Sequence, residues 1–128
     1  MKELTQSEEQ IMQILWDLEK GFVRDIREQM PDPKPAYNTV STIVRILEKK
    51  GFVSHIAYGK SHQYHPLVTR EAYSKNRISS LVKNYFRNSY SELVSFFAKD
   101  KNMSVDEMEE IMKIMDREIK NKNQQDHE

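Results

Sequence analysis

The chain has no cysteine among its 128 residues. Disulfides, thiolate metal sites and cysteine nucleophiles are therefore excluded. Glycine is scarce, with three in the chain, too few for a glycine-rich phosphate loop. No apolar run approaches the length that spans a bilayer, and the opening residues do not read as a secretion leader. A soluble protein of the cytoplasm, with no membrane association, is expected. Net charge is lacking as well: 20 Lys+Arg balance 20 Asp+Glu, which argues against a uniformly basic coat. No nucleophile is spaced with a base, and Glu107, Glu109 and Glu110 lie in a charge-mixed stretch where solvation is the simplest reading. Neither an enzyme nor a bound cofactor is expected.

The charge is nevertheless uneven. Residues 1–33 hold four Lys/Arg against eight Asp/Glu, residues 34–65 hold five against one, and the remainder balances. A neutral protein can still attract a polyanion if its cations face one way.

Those cations surround the most informative stretch. Val40, Ile43, Val44 and Leu47 recur at helical spacing, so they bury together. Asn38, Ser41, Thr42, Arg45 and Lys49 fall on the opposite side. Short hydrogen-bonding groups and an Arg suit base edges in a major groove. Asn pairs with adenine and Arg with guanine, each worth about 1–3 kcal/mol of discrimination. Thr39 is placed on phosphate or at the helix opening, and Lys49, Lys50 and Lys60 on phosphates. An ordinary solvated helix face is the competing reading of this helix taken alone.

Its context sharpens the choice. Thr5-Gln6-Ser7-Glu8 has the form of a capping box, and Ile11, Leu15 and Leu18 follow it, so a helix is predicted over 6–19, stopped by Gly21. Phe22 opens a very short strand. Val23, Ile26 and Met30 mark a second helix closed by Pro31. Three prolines in residues 31–35 make a stiff turn, and the third helix runs over 36–50, ended by Gly51. Residues 52–58 and 62–66 form a β-hairpin around Gly59-Lys60-Ser61. Helix, helix, helix, hairpin is the winged helix-turn-helix order.

From Thr69 the pattern is helical. Ile78, Leu81, Val82, Tyr85 and Phe86 share one stripe. Ser91 is placed as the cap of a fifth helix carrying Leu93, Val94, Phe96 and Phe97. Ser104-Val105-Asp106-Glu107 is a second capping box, and Val105, Met108, Met112, Met115 and Ile119 continue as a heptad seam. Three helices cannot hide this many aromatics and methionines. A second copy of the chain is the expected cover, with Leu81, Tyr85, Leu93, Phe97, Met108, Met112 and Met115 at the contact; packing back on the first domain is the alternative.

His62 and His65 are three apart on a strand and point to opposite faces, so with His55 they are read as wing residues rather than a metal site. Trp16 flanks an apolar stripe and is read as core rather than a ligand platform. The late methionines are read as packing rather than as a soft-metal or effector site.

Ile14-Leu15-Trp16, the run Thr39-Val40-Ser41-Thr42-Ile43-Val44 leading into Leu47-Glu48-Lys49-Lys50-Gly51-Phe52-Val53, and Tyr64-His65-Pro66-Leu67-Val68-Thr69-Arg70-Glu71-Ala72-Tyr73 together resemble the penicillinase-repressor family of bacterial winged-helix regulators (BlaI/MecI type, with copper-responsive relatives). The resemblance implies a homodimer on a palindromic DNA operator, repression of β-lactam-resistance or other envelope and metal genes and, in the β-lactam systems, a regulatory protease pathway that cuts the C-terminal domain. Two positions depart from the pattern. Ile46 stands where the family often has Arg, with Arg45 one residue earlier, about 100° around the helix. Phe96 stands where β-lactam repressors carry the Asn of an Asn-Phe pair, which speaks against the same cut here. The cysteine sensor of the copper branch is absent.

The expectation is thus a mainly α protein with a small β-hairpin. A winged helix-turn-helix DNA-binding domain occupies residues 1–68, a helical dimerisation domain 69–121, and a disordered tail 122–128. It should be a sequence-specific repressor. A small-ligand-responsive winged-helix regulator and a protein-interaction adaptor on the same fold are the rivals.

Overall fold

A computed structural model describes residues 1–126. The element order is α1 (Gln6–Leu18), α2 (Val23–Glu28), α3 (Tyr37–Lys49), β1 (Val53–Tyr58), β2 (Ser61–Pro66), α4 (Arg70–Tyr85), α5 (Tyr90–Ala98) and α6 (Val105–Asp126). The chain divides into two compact units, Met1–Ile78 and the residues from Ser79 onward.

In the first unit, α1 starts where the capping box predicts. Glu8 N–H donates to Thr5 Oγ1 at 3.2 Å and Thr5 N–H donates to Glu8 Oε1 at 2.7 Å, which satisfies two orphan donors of the first turn. Ile11, Met12, Leu15, Ile26, Val40, Val44, Leu47 and Val53 are buried in one core across α1, α2, α3 and β1. The proline turn is held from both sides. Arg27 Nε donates to Pro35 O at 2.7 Å, and Lys34 Nζ donates to Met30 O at 2.7 Å and Glu28 O at 3.1 Å, covering carbonyls at the end of α2. Those carbonyls have no partner within the helix itself.

Helix α3 ends in a Schellman motif. Gly51 takes φ 84°, Gly51 N–H donates to Glu48 O, and Phe52 N–H donates to Leu47 O. A left-handed residue at this position is where glycine is favoured. The hairpin is antiparallel with Val53 opposite Pro66 and Tyr58 opposite Ser61. Its turn is therefore Gly59-Lys60 alone, and Ser61 belongs to β2. The short strand expected at Phe22 is a single bridge one residue earlier, where Gly21 and Tyr64 exchange backbone bonds of 2.9 and 2.8 Å.

The first turns of α4 belong to this unit. Tyr73 packs edge-on against Phe52 at 5.9 Å and, with the rings tilted by 40°, against Trp16 at 5.8 Å between ring centroids. Trp16 Nε1 donates to Val68 O at 2.8 Å, and Arg70 lies over its ring. The indole is committed to the fold, as a core reading requires. Arg70 also pairs with Asp17, and Arg77 with Glu3. These ties explain why the division falls after Ile78 rather than at the expected 68.

The second unit differs in burial. Among its described residues Val82 alone is buried. Arg87 and Asn88 take positive φ and turn the chain out of α4. Ser89, not Ser91, then caps α5, its Oγ accepting from Glu92 N–H at 3.2 Å. Ser104 Oγ accepts from Glu107 N–H at 3.1 Å to open α6. No residue of α5 or α6 is buried. A disordered tail was expected from 122, yet residues 122–126 continue α6. Extending an existing helix adds a backbone bond per residue without a new nucleus, and Lys120 pairs with Asp116 one turn back. Residues 127–128 of that expected tail lie outside the described residues.

Candidate nucleic-acid interface

Helix α3 presents the predicted residues on one exposed strip. Its buried side is Val40, Val44 and Leu47; Asn38, Thr39, Thr42, Arg45 and Lys49 are exposed and Ser41 is half-buried beside them. Arg45 Nη2 donates to Ser41 Oγ at 3.0 Å, and Thr42 Oγ1 donates to Asn38 O at 2.9 Å. The guanidinium is thereby held along the helix with its remaining N–H groups free to donate outward. Ala36 is the N-cap and makes no side-chain bond, so Thr39 does not open the helix. It lies one turn in, on the exposed side.

Lys50 is a correction. Its ammonium lies 2.8 Å from Glu8 Oε1 and 3.3 Å from Glu3 O. It turns toward the start of α1, some 100° around α3 from Lys49. Burial alone would raise the Glu8 carboxyl, but the bonds from Lys50 and Thr5 outweigh it and hold the group below its ordinary value. A lysine committed to a buried carboxylate joins α1 to α3 and drops out of the phosphate set.

The wing brings further groups to the strip. Lys60 sits at the hairpin tip beside Gly59, whose φ is 62°. Ser41, Arg45 and Lys60 line a single cleft of about 520 Å³ between α3 and the hairpin. Residues not expected at the interface line it too, among them Arg24, Tyr37, His55 and His62. The hairpin register explains the two histidines. His55 pairs with Tyr64 and Ala57 with His62, so His55 and His62 are diagonal neighbours on one face, and their rings stack at 4.0 Å and 8°. His65, opposite Ser54, points the other way. The two-residue turn was the signal that would have revealed this pairing. His55 Nδ1 donates to Glu48 Oε2 at 2.6 Å, which ties the wing to α3. Burial first, and then the Glu48 charge, raises the Tyr64 phenol at the cleft floor, so it remains neutral.

The predicted dimer residues lie in the second unit with much apolar surface in water. Tyr85 is 77% exposed, Met112 69%, Met115 53%, Phe97 44% and Leu81 40%, while Leu93 and Met108 are half-buried.

Three helices and a wing, with the third helix carrying a polar outward strip that continues into a cationic cleft, define a winged helix-turn-helix DNA-binding protein. The comparisons make the class particular. The model of the family described as penicillinase repressor matches residues 4–117, and the chain belongs to that family. MecI, the methicillin resistance regulatory protein of Staphylococcus aureus strain N315, is 25% identical over 116 residues, covering 90% of this chain and 94% of the relative. MecI of Mammaliicoccus sciuri is 24% identical over the same extent. Among solved structures, the CopR repressor is 28% identical with TM-score 0.44 and covers 52% of this chain and 99% of its own. BpsR of Bordetella bronchiseptica is 12% identical with TM-score 0.47 over 94% of this chain and 77% of its own. The protein is a DNA-binding transcriptional repressor and not an enzyme. No helix among the described residues is long and apolar enough to cross a membrane.

Proposed function

We propose that the protein represses transcription as a homodimer on a palindromic operator. Two α3 helices enter successive major grooves, roughly 34 Å apart or a multiple of it. The copies are held together through Leu81, Tyr85, Leu93, Phe97, Met108, Met112 and Met115. Asn38, Ser41, Thr42 and Arg45 read base edges; Thr39, Lys49 and Lys60 bind phosphates and set register. Repression is steric, by occupying the promoter. The observation that carries this reading is the continuity of the α3 strip with the wing in one cation-lined cleft. The exposed seam of α6 supports the dimer, because closed two-fold pairs are the commonest way to cover such a surface. By similarity to MecI, the methicillin resistance regulatory protein, the controlled genes are those of β-lactam resistance, with envelope-stress genes the alternative that the family resemblance implies. Phe96 in place of Asn speaks against release by the protease cut of the β-lactam systems.

The test is binding to a random-sequence duplex across a salt series. Log affinity should fall linearly with log salt as phosphate contacts release counterions. Binding that is absent at low salt, or indifferent to salt, contradicts the reading and favours a protein adaptor.

A further inference from the structure

The cleft between α3 and the wing contains one feature that a simple phosphate site would avoid. Its permanent charges are the cations Arg24 from α2, Arg45 from α3 and Lys60 from the hairpin, but α3 also projects the carboxylate of Glu48 into it. A carboxylate repels the phosphodiester that the neighbouring cations attract. The group facing Glu48 is His55, at 2.6 Å, and His62 stacks on His55 at 4.0 Å. The His62 ring makes no side-chain hydrogen bond among the described residues, and the residue is exposed. The remaining polar side chains at this face are the phenols of Tyr37 and Tyr64 and the hydroxyls of Ser41 and Ser61. Two imidazoles therefore stand among the permanent charges of the cleft, and imidazole is the side-chain class suited to gain or lose a proton between about pH 5 and pH 8.

We propose that the His55–His62 stack is a protonation-dependent clamp for a backbone phosphodiester of bound DNA. This rests on the DNA-binding reading above. A proton on His55 neutralises the Glu48 carboxylate across their hydrogen bond. A proton on His62 adds a cation beside Lys60 and Arg45. Like charges on two rings stacked face to face are unfavourable in the free protein. An anion seated against both edges relieves that repulsion, so DNA binding draws protons into the cleft. By linkage, the slope of log affinity against pH equals the net proton uptake, so a fraction of a proton taken up between about pH 8 and about pH 6 gives about tenfold overall. The device belongs to the backbone term of affinity, so it acts on any duplex sequence.

The experiment uses the full chain and a short random-sequence duplex at constant ionic strength. Affinity is measured at about pH 6 and about pH 8, and wild type should bind about tenfold more tightly at the lower pH. His62→Phe keeps an aromatic partner for His55 and loses the titrating group; its affinities at the two pH values should agree within about threefold. His62→Gln serves as the second variant should phenylalanine disturb the hairpin. His65→Gln, on the opposite face, should retain the wild-type dependence. Calorimetry in two buffers of different ionisation enthalpy should count net proton uptake for wild type and less for His62→Phe. An equal pH dependence in wild type and both His62 variants overturns the clamp while leaving DNA binding intact. No salt-sensitive binding by wild type at either pH overturns the underlying reading itself. If inorganic phosphate at millimolar concentration shifts the His62 imidazole resonances as the duplex does, the site recognises the anion; if the duplex shifts neither histidine, the clamp is wrong.

Discussion

Arg45 carries the heaviest demand of any single residue. Its tether to Ser41 aims a planar donor away from the protein, and the geometry of such a fork suits the two acceptors of guanine. Arg45→Ala should weaken binding to the operator by about 10–100-fold and to random duplex by far less. Equal loss on both would demote Arg45 to a phosphate contact. Lys50 illustrates the opposite case. It shares a helix with Lys49, and nothing in the local sequence separates the two. Its partner Glu8 is distant along the chain, on another helix, so the ion pair could not be read from spacing. Lys50→Met should leave random-duplex affinity unchanged and lower stability by about 2 kcal/mol, less than for a fully buried pair because the lysine keeps about a quarter of its side chain in water. The Glu8 carboxyl is held below its ordinary value. Its contribution is therefore fully present above the unfolded carboxyl's range and is lost as pH falls through the folded value. Urea midpoints followed downward from about pH 5 should fall more steeply for wild type than for Glu8→Gln.

Elements were legible where their ends are written locally. The capping box of α1 spans four residues, Thr5 to Glu8, and Gly51 follows the last turn of α3 directly, so both could be placed from sequence. Gly51→Ala forces a β-carbon onto φ 84° and should cost about 1–2 kcal/mol in thermal or urea unfolding; a neutral result would mean that the end of α3 readjusts without Gly51. The cap of α5 was not legible. Ser89 and Ser91 are both competent caps, and the choice depends on the turn at Arg87 and Asn88, whose positive φ values no propensity announces. The histidine face was hidden for a related reason. Comparing His62 with His65 along one strand is correct, but the relevant neighbour lies diagonally across the turn, where a shift of one residue in loop length would reverse the face. The start of α4 reads in sequence as the opening of the helical dimerisation region, whereas Tyr73 and Arg77 bind it to the first unit. Those contacts are long-range and carry no periodic signature.

At the scale of the whole molecule, the two units contrast. The first buries one apolar core shared by α1, α2, α3 and β1. The second buries Val82 alone among its described residues and leaves Met112, Met115 and Ile119 more than half exposed. So much apolar area in water is the mark of a surface with a partner. A single copy of a DNA-binding head holds half the contacts, so separating the copies should cost far more than the interface itself. Met112→Glu with Met115→Glu should give a monomer by sedimentation, leave the unfolding of the first unit unchanged as followed by Trp16 fluorescence, and weaken operator binding by about 100-fold or more. A variant that stays dimeric would place the contact elsewhere.

The central claim is that paired α3 helices read duplex DNA through residues 38–49. Selection of bound sites from a random duplex pool tests it most directly. The account predicts an inverted repeat whose half-sites lie about one helical turn, or a whole multiple of it, apart, with base preferences that relax within each half-site for Arg45→Ala. A single unrepeated motif, or a pool that emerges from selection with no preferred sequence, would contradict it.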